Sequence, residues 1–578
     1  MKIKTARRAR LDLFLIALLA LFSFVGARLH AQTFQQVAPK PVEKNQQPAT
    51  SEPPVPPAPQ VADPNEVLVP LLNELELIPT LDRLNKAALP ATEPLVIEEL
   101  TWLNREAVGS LAKEFIGHPL SRGDLARLTR DIVVVCRNSD RPIVDVFAPP
   151  QDVSSGVVQL VVLVGKLGRV RVEGNRFFAD KIMLRQVSTA PGDELVESRL
   201  LGDIDRINQN PFRQVDLIYA RGEGPGTTDL ILRVRDTSPE RVYAGYEDTG
   251  NEETGLGRVI AGFNLGNLWG DDNQASYQYT RSTDFDRLQA HSASYSVLLP
   301  WHDTINVFGD WSEARAQSDA GLFDLVGTTW QVGLRYTIPL PIIGAYSQSF
   351  TVGADYKWSN NDLAFGGTQV FNSPANIAQG MVSYAGFRAD PNGSSEGSIT
   401  FFLSPGGIGG LNNDRDFAVQ RSGASAAYHY LQVTFARLER LPRDYVLSLT
   451  TLGQFSADRL LPSEQFGLGG AASVRGYDER IVNGDGGISE QLELRSPSLH
   501  LLGKIPDKTQ FLLFFDAGRD WVRDPIAGER DYTFAAAGPG VRMNVGRHGT
   551  IKADYGWQLE RLSGTRSGRP EISAIVSF

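Results

Sequence analysis

Two groups able to make one strong polar contact stand out in this 578-residue chain. Arg475 lies in the glycine-rich run LPSEQFGLGGAASVRGY, Leu461–Tyr477, and Asp516 lies in FFDAG, Phe514–Gly518. A guanidinium is a planar fork of donors that a carboxylate meets with two parallel hydrogen bonds, so the chemistry on offer is that of a clamp. The run GLGG, together with Gly476 between Arg475 and Tyr477, lets the backbone turn sharply enough to carry Val474 and Arg475 away from the surface. The competing reading is a solvated loop arginine, and an exposed ion pair is worth only about 0–1 kcal/mol. Glu493 and Arg495, on one parity of QLELR, either extend such a network or are ordinary pore-lining charge.

Catalytic patterns are missing. Seven histidines are scattered from His30 to His548 without metal-ligand spacing, and the acidic residues follow strand alternation instead of converging. The glycine-rich stretch from Gly245 to Asp272 has no GxxxxGK[ST] between a strand and a helix, which removes a phosphate-binding loop. Cys136 is the sole cysteine, so there is no intramolecular disulfide and no thiolate cluster, and its apolar neighbours Ile132–Val135 predict a buried thiol. The expectation is a protein without metal or cofactor that is not an enzyme.

The elements that must position Arg475 and Asp516 show in the alternation. Leu513, Phe515 and Ala517 are apolar, so Phe514, Asp516 and Gly518 belong to the opposite face. Tyr346, Gln348, Phe350, Val352, Ala354, Tyr356 and Trp358 alternate with Ser347, Ser349, Thr351, Gly353, Asp355, Lys357 and Ser359. Ile551, Ala553, Tyr555, Trp557 and Leu559 alternate in the same way with Lys552, Asp554, Gly556, Gln558 and Glu560. Long strands with one apolar and one polar face, rich in aromatics, are the pattern of a membrane barrel with lipid outside and a polar lumen. Residues 239–578 hold 16 candidate strands, an even number that returns both ends to one side. The last of them ends on Phe578, which shares parity with Val576, Ala574 and Ile572.

Ahead of the barrel, residues 1–31 have a basic start and an apolar run, Leu13–Val25, that fits an export signal and is short for a membrane helix. The formal net charge is −10, and removing the signal's net +5 leaves about −15, too acidic to bind nucleic acid. Residues 32–65 are proline-rich, with PPVPPAPQ at Pro53–Gln60, and are predicted to be an extended linker without a helix. Residues 66–168 and 169–238 read as two α+β modules. The first contains an amphipathic helix beginning in SRGDLARLTRDIVVV, Ser121–Val135, with Leu125, Leu128 and Ile132 on its core face, and ends in the turn GKLG. The second runs strand, helix, helix, strand, strand. Its sheet edges are suited to accepting an extended segment by strand addition.

LPSEQFGLGGAASVRGY, FFDAG, the opening EDTG and TGLGR phrases and the PPQD turn before GVV together resemble the outer-membrane transporters of two-partner secretion, the hemolysin secretion/activation family. The likeness covers nearly everything after residue 65; Val164 stands where the family usually has glutamate. It implies a mainly β protein with two periplasmic polypeptide-transport-associated domains and a 16-stranded antiparallel barrel in the bacterial outer membrane. It also implies that Arg475 and Asp516 hold the sixth extracellular loop inside the barrel, and that Phe578 belongs to a C-terminal insertion signal. Some relatives carry a plug helix near the linker. Implied partners are a secreted exoprotein bearing an N-terminal secretion domain, outer-membrane lipid, and the barrel assembly machinery during biogenesis. Two other functions share parts of the pattern: a barrel assembly factor shares the RGY loop, and a passive porin shares the periodicity but needs neither module.

Overall fold

The computed structural model describes residues 34–42, 63–85, 93–251, 254–317, 323–365, 368–503, 505–562 and 566–578. The predicted export signal and much of the linker lie outside them.

In the first module, β1 (Val67–Val69) pairs with the short β4 (Leu120–Ser121). β2 (Glu74–Ile78), β3 (Leu95–Ile97), β5 (Val144–Phe147) and β6 (Val157–Val164) form a sheet in the order β3-β2-β6-β5. Two helices, α1 (Arg105–Ala112) and α2 (Arg122–Asn138), complete it. Helix α2 starts where it does because Ser121 caps it: its Oγ accepts from the Asp124 amide at 3.1 Å, while the Asp124 carboxylate accepts from the Ser121 amide at 3.3 Å. Leu128, Ile132, Val133 and Cys136 on its inner face are buried in the module's core. Burial pushes the Cys136 thiol up to about 12, so it stays protonated and unreactive at neutral pH.

The second module follows with β7 (Lys166–Glu173), α3 (Asp180–Leu184), α4 (Glu197–Ile207), β8 (Arg213–Arg221) and β9 (Thr227–Asp236), and its sheet order is β7-β9-β8. The expected GKLG turn is not one. The backbone departs at Gly165 alone, and Lys166 to Gly168 already belong to β7, which runs parallel to β9. The two modules are tied directly, with the Ser198 amide and hydroxyl both donating to Asp140 at 2.6 Å.

From Glu240 the chain forms a closed antiparallel barrel of sixteen strands among the described residues; a short extra strand, Thr368–Asn372, prolongs one hairpin. The barrel closes where the opening strand Glu240–Glu247 pairs with the last strand, Gly568–Ser577, over Tyr243–Glu247 and Ser573–Ser577. Its polarity is inverted relative to a soluble domain. Val332, Leu334, Ile399, Leu513, Phe515, Trp557 and Val576 are exposed, whereas Gln278, Asp355, Gln379, Asp516 and Glu571 are buried within. An apolar outer band on this scale is stable only against hydrocarbon. The stretch GSSEG, Gly393–Gly397, has the spacing of a nucleophile elbow but lies inside the antiparallel strand Gly393–Pro405 and makes no strand-to-helix turn.

The second module is docked on the periplasmic rim. Asp272, in the turn between strands Arg258–Leu268 and Asn273–Ser282, accepts from Arg213 Nη1 and Nη2 at 2.5 and 2.7 Å. It also accepts from Asn210 Nδ2 at 2.8 Å and Gln186 Nε2 at 3.1 Å, and all four residues are buried. Helix α4 packs against the long strand Phe323–Ile343.

The linker expectation needs correction. Phe34–Val37 form one helical turn, and Ala38–Val42 continue without regular secondary structure; the segment runs inside the barrel against its first strands. The run ahead of the main proline tract finds partners on the lumen wall that a solvated linker would lack.

Candidate functional site

The loop between strands Val446–Ser456 and Gly486–Arg495 turns back into the lumen instead of projecting outward. Within it Phe466–Leu468 pairs with Val482–Gly484. The hairpin reverses through Gly469 and Gly470, at φ of +108° and +93°, where a side chain would be strained. Its base is pinned near the extracellular mouth. Buried Arg421 holds Asp485, and Arg459 donates to Glu529 at 2.9 Å. Lower down, Lys357 on the barrel wall donates to Glu464 at 2.9 Å.

Arg475 sits at the inner tip. Its Nε and Nη2 donate to the two oxygens of Asp516, each at 2.7 Å, and its own amide adds a third hydrogen bond to Asp516 at 3.0 Å. Nη1 donates to Glu493 at 2.6 Å. The guanidinium carbon lies 3.7 Å from the centroid of the Phe514 ring, a cation-π contact. Gly518 completes the motif by leaving space: a Cβ there would stand 2.5 Å from Leu468 and 3.1 Å from Val474. Each residue of the Phe514, Asp516, Gly518 face therefore touches the loop in a different way, through ring, charge and vacancy.

Glu493 and Arg495 extend the network, and Arg542 and Asp554, which the sequence did not assign to the site, finish it. Arg542 donates to Asp554 at 2.6 Å and to Glu493 at 3.0 Å, and Arg495 donates to Glu493 at 2.8 Å. The cluster thus sets Arg475, Arg495 and Arg542 against Glu493, Asp516 and Asp554, three charges of each sign. Gly476, at φ +88°, lies directly on Gly556 of the wall, and its carbonyl accepts from Gln558 at 2.8 Å. Tyr477 stacks on Phe534 with centroids 4.3 Å apart, and its hydroxyl donates to the Ala535 and Glu560 carbonyls. Asp478 meets Arg569, which also binds Asp248 beside the barrel seam. Asp554, Gly556 and Gln558 were visible in the sequence as the polar face of one strand. Strand parity alone does not say which polar residues meet a loop.

Phe578 lies at the periplasmic end of the seam. It exchanges main-chain hydrogen bonds with Val242 at 3.0 and 2.9 Å, and its exposed ring stacks on His548.

The pattern describing haemolysin secretion/activation protein ShlB/FhaC/HecB matches residues 226–543, and that of the ShlB-type POTRA domain matches residues 93–165. The chain belongs to the ShlB/FhaC/HecB family. Heme/hemopexin transporter protein HuxB of Haemophilus influenzae is 21% identical over 405 residues, 68% of this chain and 69% of that protein. The solved structure of CdiB from Escherichia coli has the same fold, with a TM-score of 0.73 at 18% identity over 91% of this chain and 94% of that one. CdiB from Acinetobacter baumannii superposes with a TM-score of 0.64 at 17% identity, covering 99% and 98% of the two chains. As a ShlB/FhaC/HecB protein, the chain is an outer-membrane transporter of two-partner secretion. Its barrel lies in the outer membrane, its POTRA domains lie in the periplasm, and its partner is an exoprotein.

Proposed function

We propose that the inward loop is a two-state element: the Arg475 clamp holds it in the lumen at rest, and engagement of the exoprotein by the POTRA domains releases it. The observation that carries this reading is the buried three-on-three charge cluster at the loop tip, which joins the inward loop to four separate strands. A buried ion pair is weak as a source of net stability but costs about 3–5 kcal/mol when one partner is removed, which makes it a good latch. The exoprotein's N-terminal secretion domain adds as a strand to an outer module strand, β3 or β5 in the first or β8 in the second; the start of β7 is already bonded to residues 192–195. Differential binding to the released state then shifts the loop's population. No nucleotide is available in the periplasm, and folding of the exported chain outside prevents its return.

The remaining parts support this role. We assign residues 66–168 and 169–238 to the two capture modules and residues 239–578 to the pore. Boundary lipid covers the apolar outer band, and the C-terminal strand ending at Phe578 is the signal read by the barrel assembly machinery during biogenesis. A passive porin has no use for docked modules.

The test is Arg475→Ala. The barrel's strand network does not depend on the loop, so heat-modifiable migration of the variant stays that of the wild type. Export of its exoprotein partner falls at least about tenfold, because without the latch the loop leaves its seat before the exoprotein engages, and engagement no longer drives its release. Wild-type export by a folded Arg475→Ala variant removes the loop from the mechanism.

A further inference from the structure

The main chain of Val37, Lys40 and Pro41 is held by a set of side chains on the lumen wall. Gln278 Nε2 donates to the Val37 carbonyl at 3.1 Å, and Ser292 Oγ donates to the same carbonyl at 2.5 Å. The Lys40 amide donates to Tyr243 Oη at 2.9 Å and to Gln278 Oε1 at 3.3 Å. The Lys40 carbonyl accepts from Asn264 Nδ2 at 3.2 Å and from Arg241 Nη1 at 3.3 Å, and Arg241 reaches the Pro41 carbonyl at 3.2 Å. Pro39 and Pro41 have no N–H, so the one amide in that stretch, Lys40, is the one the wall reads. Side chains add to this hold: Phe34 lies 4.5 Å from Phe308 between ring centroids, Lys40 Nζ lies 2.8 Å from Glu247, Val37 is buried, and Val42 packs against the core of the second module.

Gln278, Tyr243, Ser292 and Asn264 are buried polar groups on four adjacent strands, and as donors and acceptors they face the main chain of Val37 and Lys40. Groups that recognise carbonyls and amides do not distinguish one sequence from another. A wall built this way suits any unfolded polypeptide, and the chain's own segment is the occupant seen.

We propose that Arg241, Tyr243, Asn264, Gln278 and Ser292 form a backbone-reading track for the polypeptide in transit, which Phe34–Val42 fills until export begins. The inference rests on the export reading above and adds a place on the lumen wall where the exported chain lies. The internal segment is then a competitor of the cargo for one surface, and opening the pore and receiving the cargo become one exchange.

The test needs no identified cargo. A variant lacking residues 34–42, checked for wild-type heat-modifiable migration, is reconstituted in planar bilayers, and block of its current is titrated with three synthetic peptides. One has the sequence FQQVAPKPV; the second keeps Phe34 and Lys40 in place and shuffles the rest; the third is the first with the Lys40 nitrogen methylated. The first two block at similar concentrations, the methylated peptide needs about tenfold more, and Gln278→Leu raises the requirement about tenfold for both unmethylated peptides, the value of one or two lost hydrogen bonds. Block by the native order alone, or by none of the three, overturns the track. In the intact full-length chain, a photoreactive residue at position 280, beside Gln278 on the same face of the strand, crosslinks to the exoprotein during export; absence of that crosslink while export proceeds also overturns it. Peptide block that obeys the track, in a protein that exports no exoprotein, sinks the export reading and leaves the groove standing.

Discussion

The inner tip of the loop is decided by a few residues with no tolerance for change. Gly476 and Gly556 meet backbone to backbone: a Cβ on Gly556 would lie 2.6 Å from the Gly476 nitrogen and 2.7 Å from its Cα. Neither neighbour is a flexible side chain, so the loop tip has to leave. Gly556→Ala is therefore expected to unseat the loop while the barrel stays closed. The check is trypsin added to intact cells, which cuts after Arg475 or Arg480 in the variant and leaves the wild type uncut; resistance equal to wild type places the loop elsewhere. Part of this was legible beforehand. Asp516 had to face the lumen because Leu513, Phe515 and Ala517 claim the lipid side, and a lone carboxylate there needs a cation. Arg542 was not legible as its neighbour, because every lumen carries charge and nothing local marks which arginine meets a loop from elsewhere in the chain.

At the level of elements, alternation reads well where each strand has one clear solvent, and poorly where an element meets another across a turn. Strands Phe323–Ile343 and Tyr346–Phe365 are 21 and 20 residues long, well beyond the roughly 9–11 that cross a bilayer. The excess on the periplasmic side is where α4 packs. Asp272 sits in WGDD, which looks like any polar turn, and Arg213 follows a Pro-Phe pair with no periodic signal; only the fold brings them together. Their bond is buried on both sides, so removing one partner strands the other at about 3–5 kcal/mol. Asp272→Ala should loosen the second module from the rim. Pulsed electron-electron distance measurements between spin labels on α4 and on the barrel would then show a broadened distribution, and export should fall several-fold. A distribution as narrow as wild type means that the α4 contact alone fixes the module.

On the scale of the molecule, the barrel is wide enough to need filling and fills itself twice. The tip of the inward loop lies against the strands from Gly486 to Ser577, and the Phe34–Val42 segment against those from Glu240 onward. Resting single-channel conductance should therefore be small. It should rise with Arg475→Ala and with removal of residues 34–42, and rise further when both are combined; a double variant no more conductive than either single one would mean that one obstruction controls the whole bore. The second filling escaped sequence reading for a physical reason: prolines look like solvated linker because they cannot join a core, yet a lumen lined with amides, hydroxyls and guanidinium groups accepts a chain of lone carbonyls readily. There is a temporal consequence. Residues made before either module end up encircled by strands made last, and the ring is sealed by its first and final staves, Tyr243–Glu247 with Ser573–Ser577. The polypeptide is laced through a hoop of its own manufacture, so biogenesis has to pass the lace before the hoop shuts or draw it in afterwards, and a bulky folded cargo stitched ahead of Phe34 would jam at that step while leaving every strand free to pair.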